Sequence, residues 1–344
     1  MKSLEGKRIL VSEPLPDMFE AAERLKELGA EVDFGEMIFV RDKKLSAEQM
    51  KQVVKEYDGF IAMSREKFPR EVLQEADRLA VIGKYGIGVD HIDMEAATEY
   101  GVLVTNCPDN RASVAEQAIG LMLALYKRHR FVQHALNVPN WRSQELICSE
   151  IDGKVIGFLG VGGISRQVVS RLSGWNCSFI GYDPYLTEEQ MAAVNVKKVE
   201  WDELFTAADI VSLHLPLTDQ TRGCVGEKEF RMMKKSAIFI NTARGKIVDQ
   251  TALISAIKNH EIAGCGLDAM FNEEPIPLDD PLMEIAGYDN VIITPHLAGW
   301  TADCLRRHCF TAVNNVIMAL QGEKPDNLLN PAALDKAMAK LNGR

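Results

Sequence analysis

Apolar positions along this chain alternate between two spacings. Short β-branched runs stand at residues 8–12, 31–34, 59–64, 79–83 and 102–105, each too brief for a helix. Between them lie amphipathic stretches such as 18–28, where Phe19, Ala22, Leu25 and Leu28 are expected to share one helical face. After Trp141 a second series predicts strands at 155–159, 179–182, 210–213, 237–241, 264–268 and 291–294. Six strands make a complete dinucleotide-binding sheet. The βαβ rhythm predicts an α/β chain with doubly wound, Rossmann-like parallel sheets covered on both sides. Between the two series, 113–134 reads as one long helix. Its Val114, Ala118, Ile119, Leu121, Met122 and Leu125 form a broad apolar surface suited to packing between domains or subunits. A further helix is expected at 302–320, followed by a polar tail containing Pro325 and Pro331.

Composition narrows the class without changing it. At 344 residues, 47% of them hydrophobic and 26% charged, the chain suits two well-packed domains of ordinary size. No apolar run approaches the length that crosses a bilayer, and the N-terminus leads straight into a strand without a secretory hydrophobic region. A cytoplasmic protein is therefore expected. The net charge of −10 argues against non-specific nucleic-acid or anionic-lipid partners, which require a basic face. Seven cysteines are scattered without a CxxC pair. Cys304, His308 and Cys309 lie close in sequence, but nothing else supplies the ligands a zinc site needs. No metal is expected, and the thiols are predicted to be free and mostly buried.

The segment from Val155 to Ser165, VIGFLGVGGIS, reads as strand, glycine turn, helix. Gly160, Gly162 and Gly163 would let backbone amides approach a pyrophosphate, with the helix start adding positive potential. Ser165 stands where the usual fingerprint has its third glycine, and its small size leaves the turn feasible. Asp183 ends the next strand at the spacing of the acid that binds ribose hydroxyls. A carboxylate there repels a 2′-phosphate, so NAD is favoured over NADP.

Two further residues follow predicted strands. Arg244, in Asn241-Thr242-Ala243-Arg244-Gly245, and His296, in Thr294-Pro295-His296, both fall at the carboxyl ends of strands, where α/β proteins bind ligands. An imidazole buffered by a carboxylate and a guanidinium, beside a dinucleotide, is the equipment for moving a hydride and a proton together.

Eight motifs carry a family likeness: Gly86-Ile87-Gly88-Val89-Asp90, Ser113-Val114-Ala115-Glu116, the glycine turn, His214-Leu215-Pro216-Leu217-Thr218, the Asn241 to Gly245 run, Gly266-Leu267-Asp268, Glu274-Pro275 and Thr294-Pro295-His296. With them the chain resembles the D-isomer-specific 2-hydroxyacid dehydrogenases over about residues 79–296. The resemblance implies a substrate-binding, flavodoxin-like domain from residues 1–106 plus 300–344. It also implies a dinucleotide-binding Rossmann domain at 107–299, separated from the first by a cleft. In such a protein Arg244 grips the carboxylate and keto oxygen of a small 2-hydroxy or 2-keto acid, His296 is the general acid and base, and a glutamate holds the imidazole. Glu273 has the family spacing from Asp268 and Glu274 has the following proline; Glu274 is favoured and the choice stays open. Backbone amides of Ile87 and Gly88 are implied as a second carboxylate contact.

Implied NAD contacts are Gly160, Gly162, Gly163, Ile164, Asp183, Pro216, Thr242, Ala243, Arg244, Asp268 at the carboxamide, His296, Ala298 and Gly299. Ser64, Arg65, Lys84 and Tyr85 are either selectors of substrate or ordinary loop residues. A homodimer through the helix at 113–134 is also implied. The rival class is a dinucleotide sensor without turnover, against which the complete arginine, glutamate and histidine set weighs.

Overall fold

The computed structural model describes residues 3–37, 45–63, 65–134, 143–272 and 276–342. The chain divides into two compact units, Met1–Asn110 with Thr301–Arg344, and Arg111–Trp300.

In the first unit five strands pair: β1 (Arg8–Val11), β2 (Glu31–Phe34), β3 (Gly59–Ala62), β4 (Val81–Lys84) and β5 (Leu103–Thr105). Their order is β2-β1-β3-β4-β5, every pair parallel. This is the flavodoxin-like order, with its switch point between β1 and β3. Every residue of β3 and β4 is buried, as expected where helices cover both faces. On one face Met18 and Leu25 join Val313, Val316 and Leu320 in a single core. On the other, Met50, Val54 and Phe68 pack with Phe60 and Ile82. The helix Ala302–Leu320 approaches β4 so closely that a Cβ on Gly83 would lie 2.6 Å from Val316 Cγ2. The C-terminal segment thus completes the N-terminal sheet.

Two readings of this unit need correction. The first helix runs Pro16–Glu27 and buries Met18, Ala21, Ala22 and Leu25, whereas Phe19 is 41% exposed. At 100° per residue, nine residues place Phe19 and Leu28 about 180° apart, so the three-residue spacing chosen from the sequence drifts around the helix. The tail after Leu320 is not merely polar: a turn at Pro331–Ala333 leads into the helix Leu334–Asn342. Ala333 and Ala337 from that segment are wholly buried in the same core.

The second unit holds β6 (Val155–Leu159), β7 (Ser178–Tyr182), β8 (Lys197–Lys198), β9 (Ile210–Leu213), β10 (Ile238–Asn241), β11 (Gly264–Leu267) and β12 (Val291–Ile293). They form a parallel sheet in the order β12-β11-β10-β9-β6-β7-β8. The six expected strands are present. The seventh, β8, is two lysines long, too short and too polar for apolar patterning to reveal. From β6 the chain goes first to β7 on one side and later to β9 on the other, so the glycine turn after β6 lies at the switch point.

The stretch expected as one long helix is two, Arg111–Tyr126 and His129–His134. Arg128 between them takes a left-handed backbone, φ 50°. Its Nη1 donates to the carbonyls of Glu145 (2.5 Å) and Ile147 (3.4 Å), and the Tyr126 carbonyl accepts from Ser149 N at 2.9 Å. Those bonds are made outside any helical ladder, and the helix ends where they begin. Part of the apolar surface of the longer helix packs within its own unit. Ala118, Leu121, Met122 and Leu125 pack with Ile156, Phe158 and Ile240, and a Cβ on Gly266 of β11 would lie 3.0 Å from Leu121 Cβ.

Among the described residues no helix is long and apolar enough to cross a membrane, and no three His, Cys, Asp or Glu side chains are grouped to hold a metal ion. None of the seven cysteines is in a disulfide, and Cys107, Cys265, Cys304 and Cys309 are buried. Cys304 Sγ lies 3.5 Å from His308 Nε2, and burial pulls the His308 imidazole down to about 4, so that imidazole is neutral near pH 7.

Candidate active site

Parallel register aligns the carboxyl ends of six strands in the second unit. Tyr182, Leu159, Leu213, Asn241, Leu267 and Ile293 are successive register partners. The residues after them, Asp183, Gly160, His214, Thr242, Asp268 and Thr294, therefore share one edge. At roughly 4.8 Å per strand, that edge is on the order of 24 Å long. Sequence reasoning placed its site residues at strand ends, and the register puts those ends in a single row.

The glycine turn occupies the middle of the row. Gly160 has φ +87°, and a Cβ there would meet the His214 carbonyl oxygen at 2.9 Å, so both conformation and space demand glycine. Ser165 is wholly buried and its Oγ donates to the Gly160 carbonyl at 2.6 Å. The hydroxyl at the unexpected position thus braces the turn. Asp183 accepts from Val161 N through Oδ2 and from Tyr185 N through Oδ1, both at 3.0 Å. Its carboxylate is held over the turn with acceptor capacity left for ribose hydroxyls. Above Gly162 an added Cβ would meet nothing within 4 Å, and the helix Gly163–Leu172 that follows has no acid in its first turn. Further along the edge, Thr242 Oγ1 is buried without a hydrogen-bond partner. An open cradle at a helix start, a poised carboxylate and an orphaned hydroxyl fit a dinucleotide lying along this edge.

Arg244 is set by the loop after β10. Asn241 accepts from Ala243 N through Oδ1 at 2.9 Å and donates from Nδ2 to the Arg244 carbonyl at 3.0 Å. Gly245 packs so tightly that a Cβ would fall 1.9 Å from the Met270 carbonyl carbon. The half-buried Arg244 donates from Nη1 to the Ala243 carbonyl at 2.8 Å, which anchors one guanidinium nitrogen to the loop.

His296 sits in a loop clamped by Asp268. This aspartate is 1% exposed; Oδ1 accepts from Leu297 N at 2.9 Å and from the Thr294 hydroxyl, and Oδ2 accepts from Ala298 N at 2.8 Å. Gln117 Nε2 donates to Thr294 Oγ1 at 3.1 Å. Under these ties His296 adopts φ 53°, a left-handed conformation that is uncommon for a non-glycine residue. His296 itself is exposed. Gln117 was missed by sequence reasoning, although a polar residue inside an apolar helical surface was the available signal.

Other expected residues fall as follows. Ile164 is partly exposed in the first turn of its helix, Pro216 is exposed after β9, and Ala298 is buried beside the half-buried Gly299. Glu273, Glu274 and Pro275 lie outside the described residues, as does Ser64. Ile87 and Gly88 belong to the first unit, after β4. There Asn106 Nδ2 donates to the Ile87 carbonyl at 3.0 Å and Cys107 N to the Gly86 carbonyl at 2.9 Å, while neither the Ile87 nor the Gly88 amide donates to another described residue. Arg65 and Tyr85 are both tied to Glu13. Arg65 Nε lies 3.4 Å from Glu13 Oε1, both side chains nearly buried, and the wholly buried Tyr85 donates its hydroxyl to the Glu13 carbonyl.

Comparison with known proteins agrees with this geometry. Residues 119–298 match the family model for the D-isomer specific 2-hydroxyacid dehydrogenase, NAD binding domain. The chain is 37% identical to D-3-phosphoglycerate dehydrogenase of Methanocaldococcus jannaschii over 97% of its own length and 62% of that protein's. It therefore spans about three fifths of that relative. It is 35% identical to glyoxylate reductase of Korarchaeum cryptofilum, covering 80% of this chain and 84% of that one. The structure of D-lactate dehydrogenase with NAD+ from Lactobacillus jensenii superposes with a TM-score of 0.77 at 30% identity, covering 94% of this chain and 99% of that one. By its NAD-binding domain, and by its likeness across most of the length of the glyoxylate reductase, the chain belongs to the D-isomer specific 2-hydroxyacid dehydrogenase family.

Proposed function

We propose that this protein interconverts a small 2-keto acid and its D-2-hydroxy acid with NAD(H), His296 serving as general acid and base. The observation that carries this reading is the single strand-end row in which a dinucleotide cradle, Arg244 and the Asp268-clamped His296 loop all stand. When bound, the nicotinamide accepts or supplies the hydride at C2. Neutral His296 takes the hydroxyl proton in oxidation, and the imidazolium returns it in reduction. A glutamate, Glu274 or Glu273, stabilises the imidazolium. Arg244 grips the carboxylate through its planar fork and stabilises the C2 oxygen as its charge changes, a geometry lysine does not reproduce. The unspent amides of Ile87 and Gly88 supply the second carboxylate contact. NAD is held by Gly160, Gly162, Gly163 and Ile164 at the diphosphate, by Asp183 at the ribose and by Pro216 at the adenosine side. Thr242, Ala243 and Gly299 line the nicotinamide end. Asp268 has one acceptor position of Oδ2 left for the carboxamide after its three loop bonds.

The relatives named above act on different acids, so the substrate is the open variable. A panel of 2-keto acids run with NADH and NADPH side by side tests the reading. NADH oxidation with at least one member is expected, with NADH favoured by about tenfold or more because Asp183 faces any 2′-phosphate. NADH binding without turnover across the panel would favour the sensor class. A cytoplasmic homodimer completes the proposal, on the family resemblance of the sequence. Light scattering checks the assembly.

A further inference from the structure

The described residues place an unexplained arginine on the glycine turn. Arg111 opens the helix Arg111–Tyr126, and neither that helix nor Gly163–Leu172 has an acid in its first turn. A cation at a helix start is opposed by the helix dipole. Nevertheless the side chain is exposed and makes no hydrogen bond or ion pair with another described residue. It lies across Gly163, the first residue of the second helix: a Cβ there would fall 2.7 Å from both Cδ and Nε of Arg111 and 3.2 Å from Cζ. Absence of a side chain at Gly163 is what leaves room for the guanidinium. Two helix starts and an arginine, with no acid in either first turn, concentrate positive potential beside the open face of Gly162.

We infer that Arg111 is a diphosphate-binding residue, reaching the cofactor's pyrophosphate from outside the strand-turn-helix unit, with Gly163 as the gap that admits it. The inference rests on the NAD-binding domain and not on the catalytic roles of His296 and Arg244. A guanidinium donates two parallel hydrogen bonds to phosphate oxygens and adds a full positive charge to the partial charge of the helix start.

Competition binding with NADH, ADP and adenosine on purified protein tests it. Arg111→Ala is expected to weaken NADH and ADP by about 10- to 100-fold, the cost of losing hydrogen bonds to a charged group. Adenosine, which lacks phosphate, should bind unchanged. The dependence of ADP affinity on salt should become shallower, and Arg111→Lys should restore part of the affinity. Gly163→Ala, which obstructs the arginine, should weaken ADP in the natural background but add little once Arg111 is alanine. Because Arg111 is exposed, thermal unfolding without nucleotide should be unchanged in Arg111→Ala. Unaltered ADP affinity in Arg111→Ala, equal loss of adenosine, or a Gly163→Ala effect that persists without Arg111 would each overturn the assignment.

Discussion

Replacing His296 by asparagine is expected to lower the rate of 2-keto acid reduction by about 10²- to 10⁴-fold, the usual contribution of a positioned general acid. Asparagine suits this test because His296 holds φ 53°, and asparagine is among the residues that tolerate the left-handed region. NADH affinity should stay within about twofold, since the loss is confined to a step after binding. Stopped-flow single turnover separates the two quantities. The pH profile then identifies the carboxylate partner. Reduction needs the imidazolium, so its rate falls as pH rises through the histidine's pKa, and a neighbouring carboxylate extends the active range upward. Whichever of Glu274→Gln and Glu273→Gln moves that limb to lower pH names the partner. A histidine variant with natural turnover would remove His296 from the mechanism.

Arg244→Ala should be nearly as damaging, at about 10²- to 10³-fold in kcat, the range seen when one donor to a developing oxyanion is lost. A raised KM for the keto acid is expected as well. Arg244→Lys keeps the charge but not the planar fork, so it should recover little of the loss. Nη1 is held by the Ala243 carbonyl, and the guanidinium carries two further nitrogens for the substrate, whereas lysine has a single nitrogen for both tasks. Steady-state kinetics on the best keto acid of the panel checks both variants. Recovery by lysine to within a few-fold would mean that charge alone is needed.

How far the sequence carried this reading depended on the kind of signal. Strand positions came through well, because buried parallel strands are short continuous apolar runs, and β9 is Ile210–Leu213 as read. The two lysines of β8 carried no such signal. The helix at 113–134 misled because no glycine or proline marks the turn at Arg128, where the backbone becomes left-handed, and composition does not register one φ angle. Nothing linear shows Leu121 seated on Gly266 either. At the site, the sequence set Arg244, His296 and Asp183 after strand ends, and they follow β10, β12 and β7. Spacing did not reveal that Asp268 ties the His296 loop through three bonds, or that Gln117 reaches Thr294. Those are contacts between residues far apart in sequence, made by side chains whose identity alone allows many partners.

The central claim is stereochemical as well as chemical, and one measurement addresses both parts. Purified protein is incubated with NADH and a 2-keto acid that yields a chiral product, and the 2-hydroxy acid formed is resolved by chiral chromatography. The account predicts the D enantiomer alone, formed in step with NADH consumed. The L enantiomer, or a racemate formed at the same rate, would contradict it.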